Sequence, residues 1–170
     1  SVAILRQSFP YALLIFLMMM YNRIDAVMLE RMLDDGDQQA GVYAQGFRIL
    51  DAVNMFALLF AGLLLPIFAR LLKQKQDVSE MMHLAFRILA GLSIVTAVVC
   101  FWNQSGIMQL RYPTAGLASS QSFGWLILSF IPVSITYVFG TLLTANGSLK
   151  QLNYMAIFGV LLNIGLNIFL

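Results

Sequence analysis

The chain has 170 residues, of which 60% are hydrophobic and 11% are charged, with a formal net charge of +2 and a mean hydropathy of +0.82. A soluble domain carries about 25% charged residues. This chain has too few to cover its whole surface with groups that water solvates, which indicates a membrane protein. The small net charge, without a run of five basic residues, argues against nucleic-acid binding. The one cysteine, Cys100, leaves this chain without a disulfide framework or a cysteine-based metal site.

Five segments are long and apolar enough to cross a hydrocarbon core about 30 Å thick, which takes about 20 helical residues. The predicted spans are 9–33, 42–72, 84–102, 123–145 and 152–170. We expect Pro66 to kink the second span, Pro132 and Gly140 to bend the fourth, and Asn146-Gly147 to end it. The sequence therefore predicts an all-α, polytopic transmembrane helix bundle.

The basic residues are distributed unevenly over the connections. With the N-terminus inside, six basic residues are cytoplasmic and two are outside; the six are Arg6, Arg70, Lys73, Lys75, Arg87 and Lys150, and the two are Arg31 and Arg111. Short cytoplasmic loops carry such an excess, which predicts an N-in, C-out topology. The chain starts without Met and stops inside an apolar run. We therefore expect a fragment of a longer protein, with residues 1–170 forming one partial transmembrane lobe.

Four charged residues lie inside the first two spans: Arg23, Asp25, Arg48 and Asp51. Charged side chains at membrane depth are expensive and are rarely present without a function. The predicted topology brings all four to similar depths, about 10–15 Å below the outer ends of their spans at 1.5 Å per residue. Two pairings, Arg23 with Asp51 and Asp25 with Arg48, are then possible.

Helical spacing extends these charges into two polar stripes that we expect to face inward. Asn22 and Asp25 share one face of the first span, and Arg48, Asp51 and Asn54 share one face of the second. The stripes could lock two helices together, or they could line a polar cavity that binds an anionic or polar substrate. Arginine suits the second role because its guanidinium holds phosphate oxygens bidentately and stays charged. The aspartates could balance that charge or take up H⁺ or Na⁺.

A further pair of polar residues lies on the fifth span. Asn163 and Asn167 are four residues apart, which predicts a polar stripe towards a neighbouring helix.

Several runs resemble the polysaccharide-biosynthesis flippases of the multidrug/oligosaccharidyl-lipid/polysaccharide exporter superfamily. The runs occur in matching order and are residues 21–29, 41–44, 47–51, 60–69 and 139–147. The resemblance covers essentially the whole chain and corresponds to the start of a second six-helix half. It implies a larger, two-lobe transporter of the bacterial cytoplasmic (inner) membrane. Such a protein turns lipid-linked oligosaccharide, as polysaccharide or O-antigen repeat units, to the outer leaflet by alternating access.

The resemblance also implies roles for the polar stripes. Arg23 and Arg48 become cavity arginines that meet the lipid diphosphate, and Asp25 and Asp51 become their partners or ion-coupling groups. The amides on the same stripes, Asn22 and Asn54, are placed with the arginines as candidate substrate-binding residues. The expected partners are membrane lipid, a lipid-linked sugar diphosphate, the remaining lobe of the chain, and H⁺ or Na⁺ as a coupling ion.

Other functions remain open at this point. The closest is an ion-coupled exporter of drugs or small molecules from the same superfamily, and another is a membrane scaffold without transport. A glycan polymerase or ligase would be expected to carry a large catalytic loop, whereas the longest predicted outer loop, 103–122, is modest. The sequence contains no phosphate-binding loop, no metal-ligand cluster and no nucleophile–base pattern, so we expect neither an enzyme nor a cofactor.

Overall fold

The structure is a computed structural model that describes the backbone of residues 2–169 and the side chains of residues 8–169. These residues form seven helices: α1 (Val2–Met32), α2 (Gly36–Lys73), α3 (Ser79–Trp102), α4 (Gln104–Arg111), α5 (Leu117–Leu128), α6 (Phe130–Ala145) and α7 (Leu149–Phe169). No strand occurs between residues 2 and 169, which confirms the all-α prediction. The side chain of Arg6, which was assigned to the cytoplasm, lies outside the described residues.

Five stretches of helix are long and apolar enough to cross a membrane. They are Ser8–Met32, Gly36–Lys73, Ser79–Trp102, Leu117–Ala145 and Leu149–Phe169. This confirms the five predicted spans, while the N-in, C-out orientation stays a prediction.

The fourth span differs from its prediction, because it begins at Leu117 and is broken at Ser129 into α5 and α6. The predicted cause, Pro132, lies three residues further on. Because Pro132 has no N–H, it cannot bond the carbonyl four residues earlier, and the helix loosens there. The backbone N of Ser129 instead bonds the carbonyl oxygen of Leu126 at 3.0 Å, and its hydroxyl donates to the same oxygen at 2.6 Å. Helix α6 continues through Gly140, and α2 continues through Pro66.

The turn between α1 and α2 is shorter than predicted, because α2 begins at Gly36 rather than near Val42. Gly36 is buried, and a Cβ added to it would overlap the carbonyl oxygen of Glu30. Only glycine lets the chain reverse this closely against the last turn of α1.

The described part of the chain divides into two compact units. Unit 1 comprises Ser1–Ala40 and Gly147–Leu170, and unit 2 comprises Gly41–Asn146. In unit 1, α1 packs along α7. The buried side chain of Asn153 on α7 donates from Nδ2 to the carbonyl oxygen of Pro10 on α1 at 3.1 Å. The two helices α1 and α7 are thus joined by a hydrogen bond as well as by apolar packing.

Unit 2 has one apolar core. Its buried members on α2 recur at helical spacing: Gly46, Leu50, Ala57, Ala61, Leu64 and Phe68. Helix α3 packs on α5 and α6, and Phe86 of α3 meets Phe139 of α6 with ring centroids 6.1 Å apart. At the far end of α3, Phe101 lies 6.3 Å from Trp102 and 5.9 Å from Trp125 of α5. Both indoles are largely exposed.

The predicted outer loop 103–122 contains a helix, α4, that the sequence did not reveal. Met108 of α4 is fully buried, and the side chain of Gln104 lies directly over Gly124 of α5. Eight residues make about two helical turns, which is shorter than the window of roughly 11–18 residues that a periodicity argument needs. The predicted end of the fourth span is confirmed, since Asn146 caps α6 and Gly147 has a left-handed φ of 73°.

Gly46 provides a test of the packing of α2 on α5. A Cβ at Gly46 would lie 3.1 Å from the Cα of Phe123 and 3.1 Å from Cδ1 of Leu126, and the first of these is backbone. We expect Gly46→Ala to destabilise the protein by about 1–3 kcal/mol through overpacking. Gly41→Ala is the matched control on the same helix, because a Cβ there meets nothing within 4 Å. Thermal unfolding in detergent should show a lower midpoint for Gly46→Ala only.

Candidate functional site

Asp25 is held between α1 and α7 in unit 1. Its Oδ1 accepts a hydrogen bond from Nδ2 of Asn167 at 2.8 Å, and the same Nδ2 lies 3.2 Å from Oδ1 of Asn163. All three side chains are half-buried. The predicted stripe of Asn163 and Asn167 therefore does face a neighbouring helix, and it meets one of the four predicted charges there.

The other polar residues of α1 lie on different faces of the helix. At about 100° per residue, Arg23 lies about 160° around α1 from Asp25, whereas Asn22 lies about 60° from Asp25. Both Asn22 and Arg23 are exposed. The α1–α7 contact therefore includes Asp25 but leaves the arginine on another face.

On α2, the predicted polar stripe lies to one side of the core of unit 2. Measured around the helix from the buried Leu50, Asn54 lies at about 40°, Asp51 at about 100° and Arg48 at about 160°. Arg48 and Asp51 are exposed, and Asn54 is half-buried. The Oδ1 of Asn54 is buried and has no hydrogen-bond partner among the described residues. Unit 2 therefore does not use the two charges to hold its own core together.

Helix geometry places all four charges inside spanning helices. At 1.5 Å per residue, Asp25 and Arg23 lie about 10 and 14 Å before the end of α1. Counted from Ala40, where the polar start of α2 gives way to apolar sequence, Arg48 and Asp51 lie about 12 and 17 Å along the helix. The pairings of Arg23 with Asp51 and of Asp25 with Arg48 join residues of different units, and they stay predictions.

Three polar residues near these charges were not assigned to the site by sequence reasoning. Asn167 contacts Asp25 directly. Tyr137 of α6 is half-buried and lies within electrostatic range of Asp51. Gln45, which precedes Arg48 by one turn of α2, has a buried Oε1 without a hydrogen-bond partner within residues 2–169. Each is a polar residue inside a spanning helix, and that is the signal that could have identified them.

Five apolar spanning helices define a polytopic membrane protein, and charged and amide side chains at membrane depth are typical of transporters. Residues 10–169 match the MatE family over almost the entire chain. The chain therefore belongs to the MatE family of membrane transporters, within the multidrug/oligosaccharidyl-lipid/polysaccharide exporter superfamily. No curated protein and no solved structure gives a significant match to it.

A double-mutant cycle tests the contact between Asp25 and Asn167. We expect Asp25→Ala and Asn167→Ala to be coupled by about 0.5–2 kcal/mol, because each single change leaves the other polar group without this partner. Unfolding of the complete protein in detergent measures the coupling. Asn153→Ala serves as the control. Asn153 bonds Pro10 and lies two-thirds of the length of α7 away from Asn167, so the effects of Asn153→Ala and Asp25→Ala on stability should be additive.

Proposed function

We propose that the protein flips lipid-linked oligosaccharide across the bacterial cytoplasmic membrane by alternating access. In this proposal the chain forms the start of the second six-helix half of a two-lobe transporter. The observation that carries it is the position of Arg48, exposed at membrane depth on a face that the core of unit 2 does not use. A guanidinium is tolerated at this depth when it faces protein or a water-filled cavity.

The chemistry of the stripe suits a diphosphate. Arg48 and Arg23 supply guanidinium groups that donate two parallel hydrogen bonds to phosphate oxygens. Asn54, half-buried on the same stripe, supplies an amide that could bond a sugar hydroxyl when the cavity opens. Asn22, exposed beside Arg23, adds a second amide. The proposed substrate therefore combines an anionic group with a polar sugar.

Asp25 is the proposed ion-coupling residue. Its carboxylate accepts from the amide of Asn167, which also bonds Oδ1 of Asn163, and carboxylate and amide oxygens are ligands for hard cations. Uptake of Na⁺, or of a proton on the carboxylate, would remove a negative charge from the contact between α1 and α7. The hydrogen bond from Asn167 would then lose its charge assistance and weaken, which gives the ion a direct effect on how these two helices pack. Asp51, near Tyr137, is proposed to balance the charge of Arg48.

Substitution of the arginines tests the substrate role. In the complete protein we expect Arg23→Ala or Arg48→Ala to lower flipping at least about tenfold, the loss expected when a charge-assisted hydrogen bond to phosphate is removed. Complementation of glycan export and a flipping assay in vesicles measure the effect. Arg31→Ala, in the last turn of α1 and exposed, is the control and should export normally. Normal export by both test variants, at equal membrane insertion, would contradict the role.

Replacement of Asp25 tests the coupling role. Asp25→Asn keeps a polar side chain of the same size but cannot ionise, so we expect transport that no longer responds to a Na⁺ or H⁺ gradient. Transport assays with and without each gradient identify the ion. An Asp25→Asn variant that keeps the gradient dependence of the wild type would assign Asp25 to the packing of α1 on α7 alone.

An ion-coupled exporter of drugs or other small molecules is equally compatible with the family. The observation that favours it is the same half-buried Asp25, because an acidic group inside the bilayer can bind an organic cation. A cationic substrate would gain affinity when a cavity arginine is removed, whereas an anionic one would lose it. Efflux of a cationic dye by Arg48→Ala, compared with flipping of a lipid-linked sugar, separates the two functions. A scaffold would show neither activity.

A further inference from the structure

The turn that ends α2 holds a lysine in an unusual conformation. Lys75 has a φ of 55°, and it is the one non-glycine residue with positive φ in the described part of the chain. The N–H of Gln76 bonds the carbonyl of Leu71 at 3.0 Å, and the N–H of Lys75 bonds that of Leu72 at 3.0 Å. These two bonds form a Schellman motif with Lys75 at the left-handed position, where glycine is strongly preferred.

A lysine at this position is strained, because its Cβ crowds the backbone in the left-handed region. The turn would close at least as well with glycine or asparagine. A long cationic side chain in a strained backbone position suggests that the charge itself is used.

Two further cations precede Lys75. Arg70 and Lys73 lie three residues apart in the last turn of α2 and so share a face of the helix. All three side chains are exposed. The apolar run that includes Ile67 and Phe68 ends directly before Arg70, which places the three charges at the border of the hydrocarbon core.

The acidic residue closest in sequence to Lys75, Asp77, is bonded within the turn that leads into α3. Both carboxylate oxygens of Asp77 accept hydrogen bonds from Ser79, from the hydroxyl at 2.6 Å and the backbone N–H at 2.9 Å. These bonds lower the pKa of the Asp77 carboxyl and engage its charge in the turn that precedes α3. Phe68 of α2 is fully buried, and Met81 and Met82 of α3 pack against the same core, which fixes the two helix ends.

We propose that Arg70, Lys73 and Lys75 form a binding site for the phosphate of an anionic phospholipid, in the leaflet where α2 ends. Cationic side chains directly outside a spanning helix attract anionic lipids, and Lys and Arg both donate to phosphate oxygens. The site lies wholly within unit 2 and does not depend on which substrate the transporter carries.

Lys75→Gly is the decisive variant, since it removes the charge while relieving the backbone. The probe is phosphatidylglycerol added to the complete protein in neutral detergent, with phosphatidylcholine as the uncharged lipid and inorganic phosphate as the free anion. We expect the thermal midpoint of Lys75→Gly without lipid to equal or exceed that of the wild type. Its affinity for phosphatidylglycerol should fall about fivefold, the contribution of one basic residue near a membrane surface.

Three comparisons complete the test. Lys75→Arg should keep the affinity, the double variant Arg70→Gln/Lys73→Gln should lose more of it than Lys75→Gly, and Arg111→Gln, at the end of α4, should leave it unchanged. Inorganic phosphate at matched concentration should not compete if the ligand is a lipid. Undiminished binding of phosphatidylglycerol by Lys75→Gly, or equal binding of phosphatidylcholine by the wild type, would overturn the proposal.

Discussion

The bilayer offers backbone and side-chain polar groups no water, and that constraint accounts for most of this structure. Helices satisfy the backbone internally, so the described chain is helical wherever it is apolar. Two departures from simple apolar helix are compensated by nearby hydrogen bonds. At Ser129 a hydroxyl and a tightened turn bond the carbonyl of Leu126 beside the break that Pro132 causes. At Asp25 the amide of Asn167 bonds the carboxylate across two helices.

The same constraint separates polar groups that stabilise a unit from those that do not. In unit 1, Asp25 and Asn153 contribute hydrogen bonds to the packing of α1 on α7. In unit 2, Arg48 and Asp51 are exposed and lie off the core. Polar groups that do not stabilise their own unit, such as Arg48 and Asp51, are the ones expected to contact a ligand or a water-filled cavity. The two kinds differ in energetic role, even though Asp25 and Arg48 lie at similar distances from the ends of their apolar stretches.

Sequence reasoning predicted the spans well because their signal is length and hydropathy, which the membrane fixes. It identified the charges at membrane depth for the same reason. It did not find α4, whose eight residues have a single fully buried anchor in Met108, nor the early start of α2 at Gly36, which depends on a close backbone approach. It did not foresee that Asn167 would bond Asp25, because the partner that a polar group meets depends on packing that periodicity does not encode, and the possible pairings of the aspartates with the arginines stay predictions.

The aromatic cluster at the end of α3 has a practical consequence. The chain contains two tryptophans, Trp102 and Trp125, and both are held against the ring of Phe101 while their indoles remain largely exposed. The intrinsic fluorescence of this chain therefore originates at one end of unit 2, from two emitters that share a neighbour. The emission of these two tryptophans therefore reports the polarity of the lipid around that end of unit 2 without an added dye.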